Sequence, residues 1–182
     1  MKLSIMKIVG VFSVLLAAST SFAQGKTGDR HIISFTGIVL ASSTTQGGAG
    51  PSGSTLLTHT EYVYNFKWIG LGLFTQYDMQ GSAEKDSAYG PKIEFKFGPK
   101  FYAEVDYAMS AKRAYTERNI AEQTGDGIIV GVGYRFDLSK LLVFQASYKY
   151  RMLTIKKQDG VDLTQPIQQT DGYPAVGFGY GF

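Results

Sequence analysis

The sequence contains no cysteine, two histidines and one tryptophan, and 18% of its 182 residues are charged. The absence of cysteine excludes a disulfide framework, a cysteine-ligated zinc or iron–sulfur site and catalysis by a thiol. The charged fraction lies below the ~25% of an ordinary soluble domain, whereas glycine, with 22 residues, exceeds its usual ~7%. The length allows one domain and argues against two. Twelve tyrosines and twelve phenylalanines argue against a disordered chain.

A large excess of charge of one sign is also missing. The formal net charge is +3, but Lys2 and Lys7 lie in an N-terminal segment that we expect to be removed. Without them, sixteen basic residues face fifteen acidic ones. A nearly neutral protein has no electrostatic basis for a general affinity for nucleic acid, so no nucleic-acid partner is expected.

Residues 1–23 have the pattern of a secretory signal peptide: a basic start, an apolar run over 8–18, and small residues at the −3 and −1 positions. We predict cleavage after Ala23, which leaves 24–182 as the mature domain. The apolar run is about half the ~20 residues that a membrane-spanning helix needs, which disfavours the alternative of an N-terminal anchor.

Long hydrophobic runs are absent from the rest of the chain. The longest, at 68–74 and 128–134, are both interrupted by glycines, which are poor helix formers. A helix that crosses the inner membrane is therefore excluded, and the periplasm, the outer membrane and the cell exterior remain.

The mature chain instead alternates with a period of two, the period of a β-strand. Apolar and charged side chains alternate over 89–98, and the alternation resumes after Gly98-Pro99-Lys100, a sequence typical of a tight turn. The same pattern predicts eight strands in total, at 30–41, 57–66, 69–79, 89–98, 101–110, 127–136, 141–154 and 172–182.

The predicted connections alternate in length. Short turns lie at 66–68, 98–100 and 137–140, and long polar segments lie at 42–55, 80–88, 113–124 and 155–171. An even number of strands with short turns at one end and long loops at the other is the layout of an outer-membrane barrel. Strands of ~10 residues with a rise of ~3.3 Å and a tilt of ~40° cross the ~25 Å apolar band. We therefore predict an all-β fold, an eight-stranded antiparallel up-and-down transmembrane β-barrel.

The charged side chains decide between this barrel and a soluble one, which would bury its apolar face. Six cations and five anions are predicted to point inward: Glu61, Asp78, Lys92, Glu94, Lys96, Glu104, Asp106, Lys112, Arg135, Lys149 and Arg151. In a hairpin centred on Pro99, Lys92 faces Asp106 and Glu94 faces Glu104, at about 5 Å. Because buried charges are tolerated only when they are paired, we predict an ionic plug inside a narrow barrel.

Aromatic residues hold the predicted outward positions. The set expected near the short turns is Phe66, Trp68, Phe97, Phe101, Phe136, Phe178 and Tyr180, and the set expected near the long loops is Tyr77, Tyr107, Tyr148 and Tyr150. Two girdles of rings at the bilayer interfaces are typical of such a barrel. Inward glycines such as Gly131 and Gly133 are expected to leave room for long charged side chains.

The chain ends in a run in which Val176, Phe178, Tyr180 and Phe182 alternate with glycines. This run resembles the terminal-strand signal of outer-membrane barrels, and the chain as a whole resembles the small OmpA/OmpX-like barrels. The resemblance implies insertion into the Gram-negative outer membrane by the barrel-assembly machinery. It also implies periplasmic mature termini and external long loops. A closed barrel has no free edges, so a monomer is expected.

Some eight-stranded barrels modify lipid A, and His59, Asp86 and Ser87 faintly resemble the catalytic set of the palmitoyltransferase barrels. A Ser–His–acid set needs hydrogen-bond contact, and the amphipathic N-terminal helix of that family is missing. We therefore favour a rim histidine and predict no catalytic residue, no cofactor and no metal. The run 159–162 lacks the further ligands of an EF-hand and is interpreted as a turn.

Basic residues are also expected on the outer rim, where phosphates of lipopolysaccharide lie. The predicted contacts are Lys112, Arg113, Arg118, Lys156 and Lys157. Solvated loop charges are the alternative interpretation, because surface charges are common. The segment 44–54 is of low complexity and is expected to be flexible.

The leading hypothesis is a non-enzymatic outer-membrane barrel with a charge-plugged lumen, either structural or interacting with an unidentified external partner through its loops. A narrow, porin-like channel for small or apolar solutes is the alternative. A lipid A-modifying enzyme is the third possibility.

Overall fold

A computed structural model describes residues 30–37, 42–45, 55–66, 68–80, 84–98, 100–115 and 122–182. The predicted signal peptide, Pro99, Arg118 and most of the low-complexity segment lie outside these residues. Nine strands are described: β1 Arg30–Gly37, β2 Ser42–Thr45, β3 Thr55–Asn65, β4 Ile69–Gln80, β5 Glu84–Phe97, β6 Phe101–Tyr115, β7 Gln123–Asp137, β8 Leu142–Gln158 and β9 Val161–Gly181. In the described part of the chain, no helix has the length and apolar character needed to cross a membrane.

The strands form one closed antiparallel sheet. From β3 to β9, each strand pairs with the next along the chain, and β1 pairs with both β3 and β9 to close the ring. The short β2 follows β1 along the same edge of β9, because Thr36 pairs with Gly177 and Ser42 with Gly172. The nine strands therefore fill eight positions, and the predicted eight-stranded up-and-down barrel is confirmed.

The connections from β3 to β4, from β5 to β6 and from β7 to β8 lie at one end of the barrel, called here the turn end. Gly98 has a φ of 78°, a left-handed conformation that suits glycine in the β5–β6 turn. The C-terminus lies at the same end, where the backbone N–H of His31 donates to Phe182 (2.9 Å) and that of Phe182 donates to His31 (3.0 Å). The opposite end is called the loop end.

At the loop end, one predicted long loop is wrong. Instead of a polar loop over 155–171, β8 and β9 continue to a two-residue turn at Asp159 and Gly160, with φ values of 51° and 81°. This is the backbone of a type I′ hairpin, for which Asp-Gly is a preferred sequence. Similarly, β5 begins at Glu84 and β7 at Gln123, several residues before the predicted starts. The periodicity fails here because these ends of the strands are mostly polar, so apolar and polar residues do not alternate along them.

A β-bulge in β6 changes which residues face inward. The register of β6 shifts against both neighbours, and its pairing with β7 skips from Ala108 to Ala111. Both alanines are buried, so the inward positions are even-numbered below the bulge and odd-numbered above it. Lys112, predicted to face inward, is therefore exposed, and Arg113 is buried in its place.

The outer surface carries the aromatic side chains. Trp68, Phe97 and Phe101 are each at least 60% exposed at the turn end, and Tyr107 and Tyr148 are exposed nearer the loop end. The predicted outward orientation of these rings is confirmed. The apolar surface is thus on the outside of the barrel, where a bilayer would contact it.

The inside of the wall has glycines where long side chains need space. A Cβ atom on Gly131 would lie 2.6 Å from a carboxylate oxygen of Glu104, and one on Gly133 would lie 2.4 Å from the ring of Tyr102. Both distances are too short for a real contact, so the glycines make room for these two side chains, as predicted.

Candidate functional site

The barrel interior is filled with ionised side chains. In the described part of the chain, seven acidic and five basic residues are at most 9% exposed: Glu61, Asp78, Asp86, Glu94, Glu104, Asp106 and Asp171, with Lys92, Arg113, Arg135, Lys149 and Arg151. Removing a charge from water is unfavourable unless a partner and hydrogen bonds replace the water. The contacts described below supply those partners, and they divide the residues into two clusters.

The larger group, called the central cluster, consists of His59, Glu61, Lys92, Glu94, Glu104, Asp106, Arg135 and Lys149. Lys92 lies at its centre. Its Nζ atom donates to Glu104 and lies 2.8 Å from Glu61 Oε2 and 3.3 Å from Asp106 Oδ1. One ammonium group therefore joins carboxylates from β3 and β6 across the interior.

Lys149 supplies a second ammonium from β8. Its Nζ atom lies 2.7 Å from Glu104 Oε1 and 3.2 Å from His59 Nε2. Glu104 thus contacts both lysines, one through each carboxylate oxygen. This bridge couples the two lysines, so the removal of either one leaves Glu104 incompletely paired.

Arg135 closes the side of the central cluster nearer the turn end. Its guanidinium donates two hydrogen bonds to Glu94, both of 2.8 Å, and also bonds Gln145 Oε1. The ring of Tyr102 lies 4.6 Å from its Cζ atom, within range of a cation–π contact. Gln145 Nε2 donates in turn to Glu61 Oε1 at 2.6 Å. Polar contacts thus run across the interior from β5 to β3.

The second group, called the loop-end cluster, consists of Asp78, Asp86, Arg113, Arg151 and Asp171. Arg151 donates to Asp78 Oδ2 at 2.6 Å and to both oxygens of Asp171. Arg113 makes a two-bond contact with Asp86, at 2.9 and 2.8 Å. Paired bonds of this kind fix the planes of both groups, so these arginines are held rigidly.

Nine of the eleven residues predicted to point inward lie in these clusters: Glu61, Asp78, Lys92, Glu94, Glu104, Asp106, Arg135, Lys149 and Arg151. The predicted register is confirmed, because Lys92 pairs with Asp106 and Glu94 with Glu104 in the β5–β6 ladder. Of the other two, Lys112 is exposed, and Lys96 is half-buried at the turn end, where its Nζ atom donates to the carbonyl oxygen of Phe66 at 2.9 Å.

Sequence reasoning missed several members of the clusters. Asp86 and Asp171 fall in segments predicted to be loops, and Arg113 faces inward only because of the bulge in β6. His59 was assigned to the rim, but its position shares the inward parity of Glu61, and that signal could have placed it in the lumen.

The residues predicted to contact lipopolysaccharide do not form one set. Lys112, Lys156 and Lys157 each have about half of their side chain exposed, and they contact Glu122, Asp126 and Asp162 respectively. Arg113 belongs to the loop-end cluster, and this burial corrects its assignment to the rim. Arg118 lies outside the described residues.

The structure separates the three residues considered as a catalytic set. His59 is buried in the central cluster, and Asp86 is paired with Arg113. Ser87 lies between the inward-facing Asp86 and Ala88, so its side chain faces the outer surface of the wall. A hydroxyl on the outside of the barrel cannot reach an imidazole inside it, which argues against a Ser–His–acid arrangement.

A group of three carboxylates also has the spacing of a cation site. One oxygen atom each from Glu61, Glu94 and Glu104 can be found within 4.8 Å of the others. Lys92 Nζ contacts all three side chains. An ammonium group thus already supplies the positive charge that a bound ion would bring.

The terminal strand carries the residues predicted as an assembly signal. Val176, Tyr180 and Phe182 are exposed on the outer face, and the ring centroid of Phe178 lies 5.5 Å from that of Phe144. The ring of Phe182 also stacks on His31, with centroids 5.3 Å apart. The last residue is thus packed into the aromatic girdle at the point where the barrel closes.

No protein-family model and no curated protein sequence matches the chain. Among solved structures, the chain is similar to the Neisserial surface protein A (NspA), with 12% identity over 87% of this chain and 100% of that chain, and a TM-score of 0.60. The outer membrane protein OprG from Pseudomonas aeruginosa matches with 13% identity over 87% of this chain and 98% of that chain, at a TM-score of 0.41. The closed antiparallel ring, its apolar outer face and its likeness to NspA identify the fold as that of the small eight-stranded outer-membrane β-barrels.

Proposed function

We propose that this protein is a non-enzymatic outer-membrane barrel whose lumen is closed by its two buried ion clusters, and that it acts as a structural element or through its loop end. The observation that carries the proposal is the contact of Lys92 with carboxylates on β3 and β6, together with that of Lys149 with His59 and Glu104. The contacts of Lys92 with Glu61 and of Lys149 with His59 join strands that are not neighbours in the sheet, so they pass through the interior.

Energetics favour a closed resting state. A water-filled path through the central cluster requires that Lys92 or Arg135 leave its carboxylates. Breaking a buried ion pair typically costs about 3–5 kcal/mol, because the partner is left as an uncompensated buried charge. The loop-end cluster adds a second barrier of the same kind above the first.

The loop end is the surface that we assign to interactions. If it faces the cell exterior, both mature termini are periplasmic and the terminal strand is available to the barrel-assembly machinery. Lys112, Lys156 and Lys157 then lie beyond the outward tyrosines, at the height of lipopolysaccharide phosphates, to which lysine ammonium groups can bind.

Ion conductance in planar lipid bilayers tests the closed lumen. We expect no steady conductance from the wild-type protein. Lys92→Ala leaves the carboxylates of Glu61, Glu104 and Asp106 to repel one another, and it should produce measurable openings. Lys112→Ala is the matched control, because it removes a lysine from an exposed pair and should leave the barrel closed.

A large and steady conductance of the wild-type protein would contradict the proposal. That result would favour the alternative, a narrow channel for small or apolar solutes. If Lys92→Ala, like the wild-type protein, showed no conductance, the central cluster would not be what closes the lumen.

A further inference from the structure

His59 is a buried titratable residue for which a closed lumen has no obvious need. It is fully buried, and its ring stacks on Phe74 with centroids 5.3 Å apart and an interplanar angle of 8°. Its Nε2 atom faces three charged groups: Lys149 Nζ at 3.2 Å, Glu61 Oε2 at 3.5 Å and Asp106 Oδ2 at 3.6 Å. These groups come from β8, from its own strand β3 and from β6.

The contact with Lys149 determines the protonation state of the imidazole. An ammonium group has donors and no acceptor, so a hydrogen bond between the two nitrogens requires Nε2 to accept. In this arrangement His59 is neutral and carries its proton on Nδ1. The Nδ1 atom is buried and has no hydrogen-bond partner, so the neutral state leaves one polar group unsatisfied.

If Nε2 carried a proton, a different polar group, the carboxylate of Asp106, would gain a hydrogen-bond partner. Glu61 Oε2 lies slightly closer to Nε2, but it already has Lys92 Nζ at 2.8 Å. Asp106 Oδ2 is a buried acceptor without a hydrogen-bond partner, and it lies 3.6 Å from Nε2 and 3.8 Å from Lys149 Nζ. A proton on Nε2 would give it a donor. Lys149 could not then keep its present contact with His59, because two donors would face each other, but it retains Glu104 Oε1 at 2.7 Å.

The central cluster also contains one more acidic side chain than basic side chains when His59 is not counted. Four carboxylates, those of Glu61, Glu94, Glu104 and Asp106, face three permanently basic side chains, those of Lys92, Arg135 and Lys149. With all four carboxylates ionised and His59 neutral, the cluster carries one excess negative charge, and a protonated His59 would balance it.

From these contacts we propose that His59 is a proton-binding site inside the barrel, and that proton uptake exchanges its contact with Lys149 on β8 for one with Asp106 on β6. Imidazole is the side chain whose ordinary chemistry changes its charge between about pH 5 and pH 8. The central cluster would thus rearrange when the surroundings become acidic. This inference does not depend on whether the lumen conducts ions.

Nitrogen NMR of the refolded barrel in lipid bicelles tests the site directly. The protein has two histidines, so His31→Gln leaves a single imidazole spectrum, that of His59. We expect a neutral imidazole protonated on Nδ1 at high pH and an imidazolium at low pH. The side-chain signals of Lys149 should move with the same midpoint, and this response should be lost in His59→Gln.

Asp106→Asn sharpens the test, because it removes a negative charge and weakens the acceptor for Nε2–H. The signals of Lys149 should then respond less to pH, because the contact that replaces the one between His59 and Lys149 is weaker. The inference is overturned if His59 keeps one protonation state throughout, if its neutral form is protonated on Nε2, or if Lys149 does not respond. If the other variants do not fold, the pH titration of His31→Gln alone tests whether His59 binds a proton. Its result does not depend on whether the wild-type barrel conducts ions.

Discussion

Lysine–carboxylate pairs occur in two regions of this barrel, and the same chemistry has different consequences in each. Inside, the side chains of Lys92, Glu104 and Glu61 are almost completely removed from solvent. At the loop end, Lys112 pairs with Glu122 at 3.0 Å, but about half of each side chain remains exposed. Distance alone therefore does not measure the importance of a pair.

Solvation explains the difference. In water, the gain from an ion pair is offset by screening and by the loss of side-chain freedom, so exposed pairs contribute about 0–1 kcal/mol. In the interior, the removal of one partner leaves the other charge without water or a counter-ion, which costs about 3–5 kcal/mol. Substitutions of matched lysines can test whether this contrast holds in the barrel.

The largest effect is expected for Lys92→Ala, which leaves three carboxylates facing one another. We expect the free energy of unfolding to fall by about 3–5 kcal/mol. Urea unfolding in lipid vesicles, followed by tryptophan fluorescence of Trp68, measures this loss. A loss below about 1 kcal/mol would show that water enters the central cluster and screens its charges.

A smaller effect is expected from Gly131→Ala, which removes no charge but crowds Glu104. The new Cβ atom would lie 2.6 Å from the carboxylate oxygen, so the side chain must shift within its contacts to Lys92 and Lys149. Overpacking of this kind costs about 1–3 kcal/mol. The same unfolding measurement checks it, and an unchanged stability would mean that Glu104 has space to move.

Lys112→Ala is the exposed counterpart of Lys92→Ala and should change the free energy of unfolding by about 1 kcal/mol or less. Added salt should reduce even this difference, because exposed charges are screened. Unfolding of both variants at low and high salt compares the two regions directly. A loss as large as that of Lys92→Ala would contradict the contrast between them.

The smallest effect is expected for the composition of lipid A after substitution of His59. His59→Gln should leave the composition of lipid A unchanged, because His59 is buried inside the wall and Ser87 faces outward. Mass spectrometry of lipid A from the wild type, the variant and a deletion strain checks this. A lipid A species that disappears in both the variant and the deletion strain would indicate an enzymatic role.

Some contacts of the interior could be predicted because their residues lie close together in the sequence. The β5–β6 turn is short, so its flanking residues determine which side chains lie opposite each other, and the pairing of Lys92 with Asp106 followed correctly. The contact of Arg135 with Glu94 could not be predicted in this way, because these residues are 41 positions apart and lie on strands that are separated by β6. The long β8–β9 hairpin was missed because its polar sequence carries no periodic signal. The bulge in β6 was missed because Ala108, Ser110 and Ala111 are small residues that suit either face of a strand.

The sequence by itself determined the two faces of the wall. Alternation with a period of two is a property of each strand, and it places aromatic rings on one side and charges on the other whatever the partners are. Only the tertiary structure decided which charges meet, and that Arg113 rather than Lys112 is inside. Those outcomes depend on how the ring closes and where a strand gains an extra residue, and both are set by contacts between distant parts of the chain.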